Sequence, residues 1–263
     1  MKWLEQEYER VPLERAPLVL VLCQLRFNTQ AALGQRATAD AICERLAPRY
    51  AEVVEENVTE ATFDLGAPGL AVKQQATRQF ILRSPDSPWW IMLSPSVASL
   101  VGTTYSERKD FLDRISELRV ALTEDAEIAA IERVGVRYVS RVADEAFLSG
   151  LDNYVRAEVR GAVHLPQATE TRLHQTVSDT MIQQGSTMAR IRAGMMPPGV
   201  TPDPAVPILE QRSWVFDIDT FNDEYRRADE SVEDTAADLA KGQYQLFRWL
   251  VTDDFLRYFG GDI

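Results

Sequence analysis

Between Pro17 and Asn28 the chain reads LVLVLCQLRF, a run whose branched residues and flanks predict a β-strand. Side chains alternate along a strand, so Cys23, Leu25 and Phe27 share one face while Gln24 and Arg26 share the other. An otherwise apolar strand therefore carries an arginine. From about Arg36 to Glu56 the pattern is helical, with Ile42, Leu46, Val53 and Val54 as an apolar stripe and Pro48 as a kink or end. ATFDLG then reads as a short strand closed by Gly66, LAVKQQATRQFILRS as a longer one, PDSP as a turn and WWIMLSP as the returning arm of a hairpin. Thr104 and Glu107 have the spacing of a capping box, ahead of Phe111, Leu112, Ile115, Leu118 and Leu122 on one helical face.

The remainder follows the same plan. IERVGVRYVSRV predicts a strand with Val134, Val136 and Tyr138 on one face and Arg133, Arg137 and Arg141 on the other. A helix-like piece runs from about Asp144 to Arg160. TRLHQTVSDTMIQQG and STMARIRAGMM read as strands turning at Gly185 and Ser186, and the proline-rich PPGVTPDPAVP excludes a central strand or helix. RSWVFDIDTFN predicts another strand. A long helix from about Ser231 buries Val232, Ala236, Leu239, Leu246, Phe247 and Leu250, and Thr252 caps a last short turn ending at Gly260 and Gly261. Each half, 1–124 and 125–263, thus reads strand, helix, three strands, helix. The expected fold is α+β, a mainly antiparallel sheet packed by long helices, its two α+β halves related by internal duplication in element order and packed as one compact unit. No glycine-rich phosphate loop follows the first strand, which argues against a nucleotide-binding parallel sheet.

Composition sharpens this picture. At 263 residues with 45% hydrophobic content the chain can bury a large core. Its net charge of −12 argues against nucleic acid as the primary ligand, because phosphate must be met by an excess of Lys and Arg. The two cysteines, Cys23 and Cys43, allow no disulfide framework and read as buried thiols of a cytoplasmic protein. No segment has the length of a membrane span.

Candidate chemistry collects on the strands. Asp217 and Asp219 lie two apart in WVFDIDTF and share a face, where they could hold a divalent metal or pair with Arg26 or Arg137. Removing an arginine from water is costly unless it is paired, so Gln24, Arg26, Arg137, Asp217 and Asp219 read together as a polar seam for a ligand or partner. His174 alternates with Thr176, Ser178 and Thr180, but no nucleophile elbow accompanies it, and His164 reads as a loop residue. Trp89 and Trp90 face opposite sides of a strand, so only one enters the core; with Trp249 and Phe255 of the C-terminal aromatic cluster they are candidate interface residues.

APLVLVLCQLRF, VGVRYVSRV, WVFDIDTF and the closing helix QLFRWLVTDDFLRYFG, in this order, resemble a sporadically distributed family of uncharacterised bacterial proteins of about this length. The resemblance implies an accessory, mobile-element or phage-conflict setting and no chemistry. The expected function is a non-enzymatic interaction or regulatory protein, binding a protein partner or itself as a homodimer, with no cofactor and no membrane. Two alternatives stand beside it: a small-ligand-binding module with a polar seam in an apolar cavity, and a metal-dependent hydrolase or nuclease using the paired aspartates.

Overall fold

The computed structural model describes residues 3–64, 71–105, 107–165, 168, 170–201 and 206–263, with side chains at all of these except 58–64 and 71–77. The elements run β1 (Leu18–Arg26), α1 (Arg36–Arg45), β2 (Glu52–Asp64), β3 (Ala71–Arg83), β4 (Trp89–Ser94), β5 (Val97–Gly102), α2 (Arg108–Asp125), β6 (Ala130–Ile131), β7 (Arg133–Val142), α3 (Glu145–Ser149), α4 (Leu151–Tyr154), β8 (Thr176–Gln184), β9 (Thr187–Met196), β10 (Ser213–Asn222), β11 (Arg226–Arg227), α5 (Val232–Leu250) and α6 (Asp253–Tyr258). Nine strands form one antiparallel sheet in the order β2-β3-β4-β5-β1-β7-β10-β9-β8, and β6 pairs with β11 beside it. The α+β class with a mainly antiparallel sheet is as the sequence predicts.

The sheet reads outward from its middle in the same sense on both sides. The first strand of each half, β1 or β7, is central. The last strand of each half, β5 or β10, lies next to it, and the others step outward in reverse order. The two halves meet at the β1–β7 ladder, where Leu22 faces Arg137 and Arg26 faces Arg133.

The helices cover one face of the sheet. There Val21, Cys23, Leu25 and Phe27 of β1 pack with Val134 and Val136 of β7, with Phe111, Ile115 and Leu118 of α2, and with Val232, Ala236 and Leu239 of α5. The C-terminal part of α5, from Leu246 to Leu250, belongs to a second core with Trp214, Phe216 and Ile218 of β10 and with Phe255 of α6. One helix therefore spans both cores, and burying each large side chain contributes roughly 1.5–3 kcal/mol. Ser231 caps α5 by accepting from the Asp234 N–H at 3.3 Å, and Asp144 caps α3 by accepting from Phe147 N–H at 2.9 Å. On the opposite face Leu20, Val101, Val139, Met196, Val206 and Val215 make a smaller cluster.

Several local expectations are corrected. The helix expected to reach Glu56 ends at Arg45, and Val53 and Val54 belong to β2, because Pro48 and the residue before it resist the helical conformation. The ATFDLG strand is the end of this longer β2, and its closing Gly66 lies outside the described residues, as do positions 202–205 of the proline-rich stretch. A fourth strand after α1, β5, follows in the first half after a tight Pro95-Ser96 turn. The expected Thr104 capping box does not form: α2 starts at Arg108, and Glu107 makes no side-chain cap. The piece from Asp144 to Arg160 is two short helices divided at Gly150, followed by a single 3₁₀ turn.

Trp89 and Trp90 separate as strand alternation requires. Trp89 is buried beneath α2, 5.9 Å from Phe111, and Trp90 lies half-buried on the opposite face. Across the β4–β5 pair Trp89 sits opposite Gly102, where an added Cβ would lie 2.6 Å from the indole ring. Gly102→Ala must displace a ring already packed on Phe111, so it should lower stability by about 1–3 kcal/mol in urea denaturation. An unchanged midpoint would show that the indole is not held in place.

Candidate functional site

The open face of the sheet carries a lattice of charges on β7, β8, β9 and β10. Alternation puts Arg137 of β7, Asp217 and Asp219 of β10, Arg190 and Arg192 of β9 and Asp179 of β8 on this one face. Asp217 faces Arg192 directly, and Asp219 faces both Arg137 and Arg190. The Arg192–Asp217 ion pair follows its row, whereas the pairs made by Arg137 and Arg190 run diagonally.

Arg137 reaches diagonally to Asp217. Its Nε donates to Oδ1 at 2.8 Å and Nη2 to Oδ2 at 2.8 Å, a two-pronged match of guanidinium to carboxylate. Arg192 Nη2 also donates to Oδ2. The Asp217 side chain is 1% exposed, so this carboxylate is held in the sheet by two arginines. Arg190 turns away from Asp219 and takes Asp179 in the same forked way, at 3.0 and 2.6 Å. The hydrogen bond from Arg190 holds the Asp179 carboxyl below its ordinary value.

Asp219 is left without a hydrogen bond or ion pair to a described residue. Burial, its largest influence, pushes its pKa above the ordinary aspartate value, although Arg133 and Arg137 pull it down. Arg133 lies over the Phe221 ring at 3.6 Å and stands 3.6 Å from the Asp223 carboxylate. Arg141, 5% exposed, donates to Ser213 Oγ at 2.8 Å, to the Val200 carbonyl at 2.9 Å and to the Pro207 carbonyl, tying the following loop over the end of the face. Burial lowers its pKa.

The structure thus joins three of the five seam residues expected from sequence. Arg137, Asp217 and Asp219 are neighbours. Gln24 and Arg26 lie on the same face of β1 but outside the ion-pair lattice. Gln24 Nε2 donates to Ser99 Oγ at 3.4 Å, and Arg26 is exposed at the strand end opposite Arg133, with no described partner. The expected pairing of Arg26 with an aspartate is therefore corrected: the register sets it two rows from Asp219. Sequence reasoning missed Arg190 and Arg192, although their i, i+2 spacing in MARIRAG was the same signal that marked the aspartates. Both Asp217 oxygens are engaged by guanidinium groups, and among the described residues no group of three or more His, Cys, Asp or Glu is placed to hold a metal.

The other expected site residues disperse. His164 Nε2 is 2.6 Å from Asp152 on the surface, and His174 precedes β8, which begins at Thr176. Phe255 is fully buried among Phe147, Phe216, Phe247 and Phe259, which corrects its expected place at an interface, and Trp249 is half-buried against the same core. Cys23 and Cys43 are free and buried, and burial raises both thiols. No helix among the described residues is long and apolar enough to cross a membrane. The chain matches no known protein family and no curated protein.

Two outcomes follow from this geometry. Asp217→Ala removes the buried carboxylate that Arg137 and Arg192 share and should cost about 3–5 kcal/mol. Asp179→Ala, which breaks an exposed pair, should cost no more than about 1 kcal/mol. Equal effects in urea melts would mean that burial does not set the strength of the Asp217 clamp. For Asp219, the folded chain binds the proton more tightly than the unfolded chain. Its contribution is present at acid pH and is lost as pH rises from the ordinary aspartate value through the raised one. Asp219→Asn should therefore gain stability relative to the parent across that rise. Parallel stability–pH curves for the two proteins would contradict the assignment.

Proposed function

We propose that the protein is a non-enzymatic interaction or regulatory protein that docks an acidic, apolar-anchored segment of a protein partner on the open face of its sheet. The observation that carries this reading is the content of that face. Across β2, β3 and β4, Val54, Ile81 and Met92 stand in one cross-strand row and are only half-buried, with Trp90 beside them. Next to this strip, on the strands from β1 to β8, stand Arg26, Arg133, Arg137, Arg190 and Arg192 against Asp179, Asp217 and Asp219. In a chain of net charge −12 this is a local basic excess, and Arg26 is an exposed member of it with no described partner. Aromatic and arginine side chains in such a setting are the groups on which protein interfaces most often depend.

Both Asp217 oxygens are already taken by arginines, which favours docking over catalysis at that carboxylate. The bacterial accessory or phage-conflict setting enters through the resemblance of the strand motifs, and the cytoplasm is the compartment proposed with it.

Photo-crosslinking in the native host tests the reading. A crosslinking residue at Met92 or Arg26 should yield one discrete protein adduct, and the same residue at Lys241, on α5 of the opposite side, should not. Arg26→Glu together with Trp90→Ala should remove the Met92 adduct. An adduct pattern indifferent to face, or a nucleic acid captured in place of a protein, would overturn the proposal.

A further inference from the structure

On the helix-covered side, where the two halves adjoin, a pocket of about 240 Å³ opens between the sheet, α2, α5 and the N-terminal segment. Its floor is Tyr138 and Ser140 of β7 with Phe216 and Ile218 of β10. Arg108 at the start of α2 and Tyr105 just before it form one wall, and Gln243, Tyr244 and Phe247 of α5 form the other. The segment from Arg10 to Leu18 passes along the rim. That segment is fastened to α5: Gln245 accepts from the Tyr8 N–H at 2.6 Å and donates to the Tyr8 carbonyl at 2.9 Å, and Tyr244 Oη accepts from the Val11 N–H at 2.7 Å.

Three polar atoms of these walls are buried and have no hydrogen-bond partner within 3.5 Å among the described residues, the Tyr138 hydroxyl, Arg108 Nε and Gln243 Oε1, although Tyr105 lies close enough to act on the Tyr138 hydroxyl. They come from three different elements of both halves. Gln243 is 1% exposed, and its Nε2 donates to the Ile218 carbonyl. A carbonyl accepts only from the NH₂ end, so this bond fixes the amide orientation and leaves Oε1 as an unused acceptor. Arg108 forms no ion pair with a described residue. Among the described residues that line the pocket there are two cations, Arg10 and Arg108, and no carboxylate. Buried polar groups are ordinarily partnered, and each exception asks for an explanation.

We propose that this pocket binds a small organic anion: a compact molecule with an apolar, ring-like body, a carboxylate or phosphate at one end and a hydroxyl or amine elsewhere. Arg108 meets the anionic end. The Tyr138 hydroxyl donates to the same end, and Gln243 Oε1 accepts from the ligand hydroxyl or amine. Tyr105, Phe216 and Phe247 enclose the ring. The volume is below the ~300–1,000 Å³ of pockets for drug-sized molecules, so the occupant is metabolite-sized. This site lies on the opposite side of the sheet from the proposed docking face and stands or falls independently of it.

The test is equilibrium dialysis of the full-length protein against a metabolite extract of its host, with bound small molecules released and read by negative-ion mass spectrometry. The parent protein should enrich a small anion at least about tenfold over Arg108→Gln, and Tyr138→Phe should retain less of it than the parent. Tyr138→Phe also separates ligand binding from a structural role. Its buried hydroxyl makes no hydrogen bond within 3.5 Å to a described residue, so in ligand-free denaturation the variant should be as stable as the parent or more so. No anion enriched over Arg108→Gln would overturn the proposal. So would a ligand-free Tyr138→Phe protein that is clearly less stable, because the hydroxyl would then belong to the fold.

Discussion

The antiparallel ladder between β1 and β7 is the constraint on which the molecule depends. Among the described strands it is where the two halves of the sheet are joined, and every strand outward from it inherits its register. Side chains alternate with a period of two, so a slip of one residue at this ladder would bring Arg137 and Arg133 into the helix-covered core and drive Tyr138 and Val136 out. The apolar residues on the helix side and the arginines on the open side therefore specify the same pairing. α5 reinforces it by packing against both cores, so the halves cannot separate without exposing apolar surface on two fronts.

Charge on the open face is managed by pairing more than by exposure. Asp217 would be prohibitive in its buried place without Arg137 and Arg192, and Arg190 is committed to Asp179. What remains is Asp219, which sits among arginines yet is bonded to none of those described. Diagonal ion pairs produce this result, because Arg137 and Arg190 both pass over Asp219, their direct neighbour, to reach a carboxylate in the next row. Geometry of this kind depends on sheet twist and side-chain length, and residue spacing alone does not express it.

Much of the architecture was legible along the chain. Period-two alternation identified β1, β7 and β10 together with their faces, because each has one face toward the helices and one away. The inner side of α5 was equally clear from Val232 through Leu250, where packing on two cores enforces the helical period. The errors fell where local and global preferences compete. Val53 and Val54 fit a helical stripe until Pro48 ends the helix, and β5 was hidden because a two-residue turn leaves little polar sequence between it and β4. Of the candidate site, the shared face of Asp217 and Asp219 could be read from spacing, and so could the need of Arg137 for a carboxylate. Which arginine meets which aspartate could not, because it is decided across strands distant in sequence. The pocket between α2 and α5 was invisible for the same reason: Arg108, Tyr138 and Gln243 are brought together only by the packing of both halves.

β7 gives Arg137 to one face and Tyr138 to the other, one peptide unit apart. The strand is clamped in the middle of the sheet, hydrogen-bonded on both edges, and has no freedom to slide. A tilt or twist of β7 favoured by contacts on one side is consequently imposed on the side chains of the other. Binding free energies coupled in this way are reciprocal: whatever preference one face has for a geometry of β7, the other face registers with equal magnitude. The central strand thus makes the sheet a partition with a single shared mechanical element, through which two chemically dissimilar surfaces answer to each other.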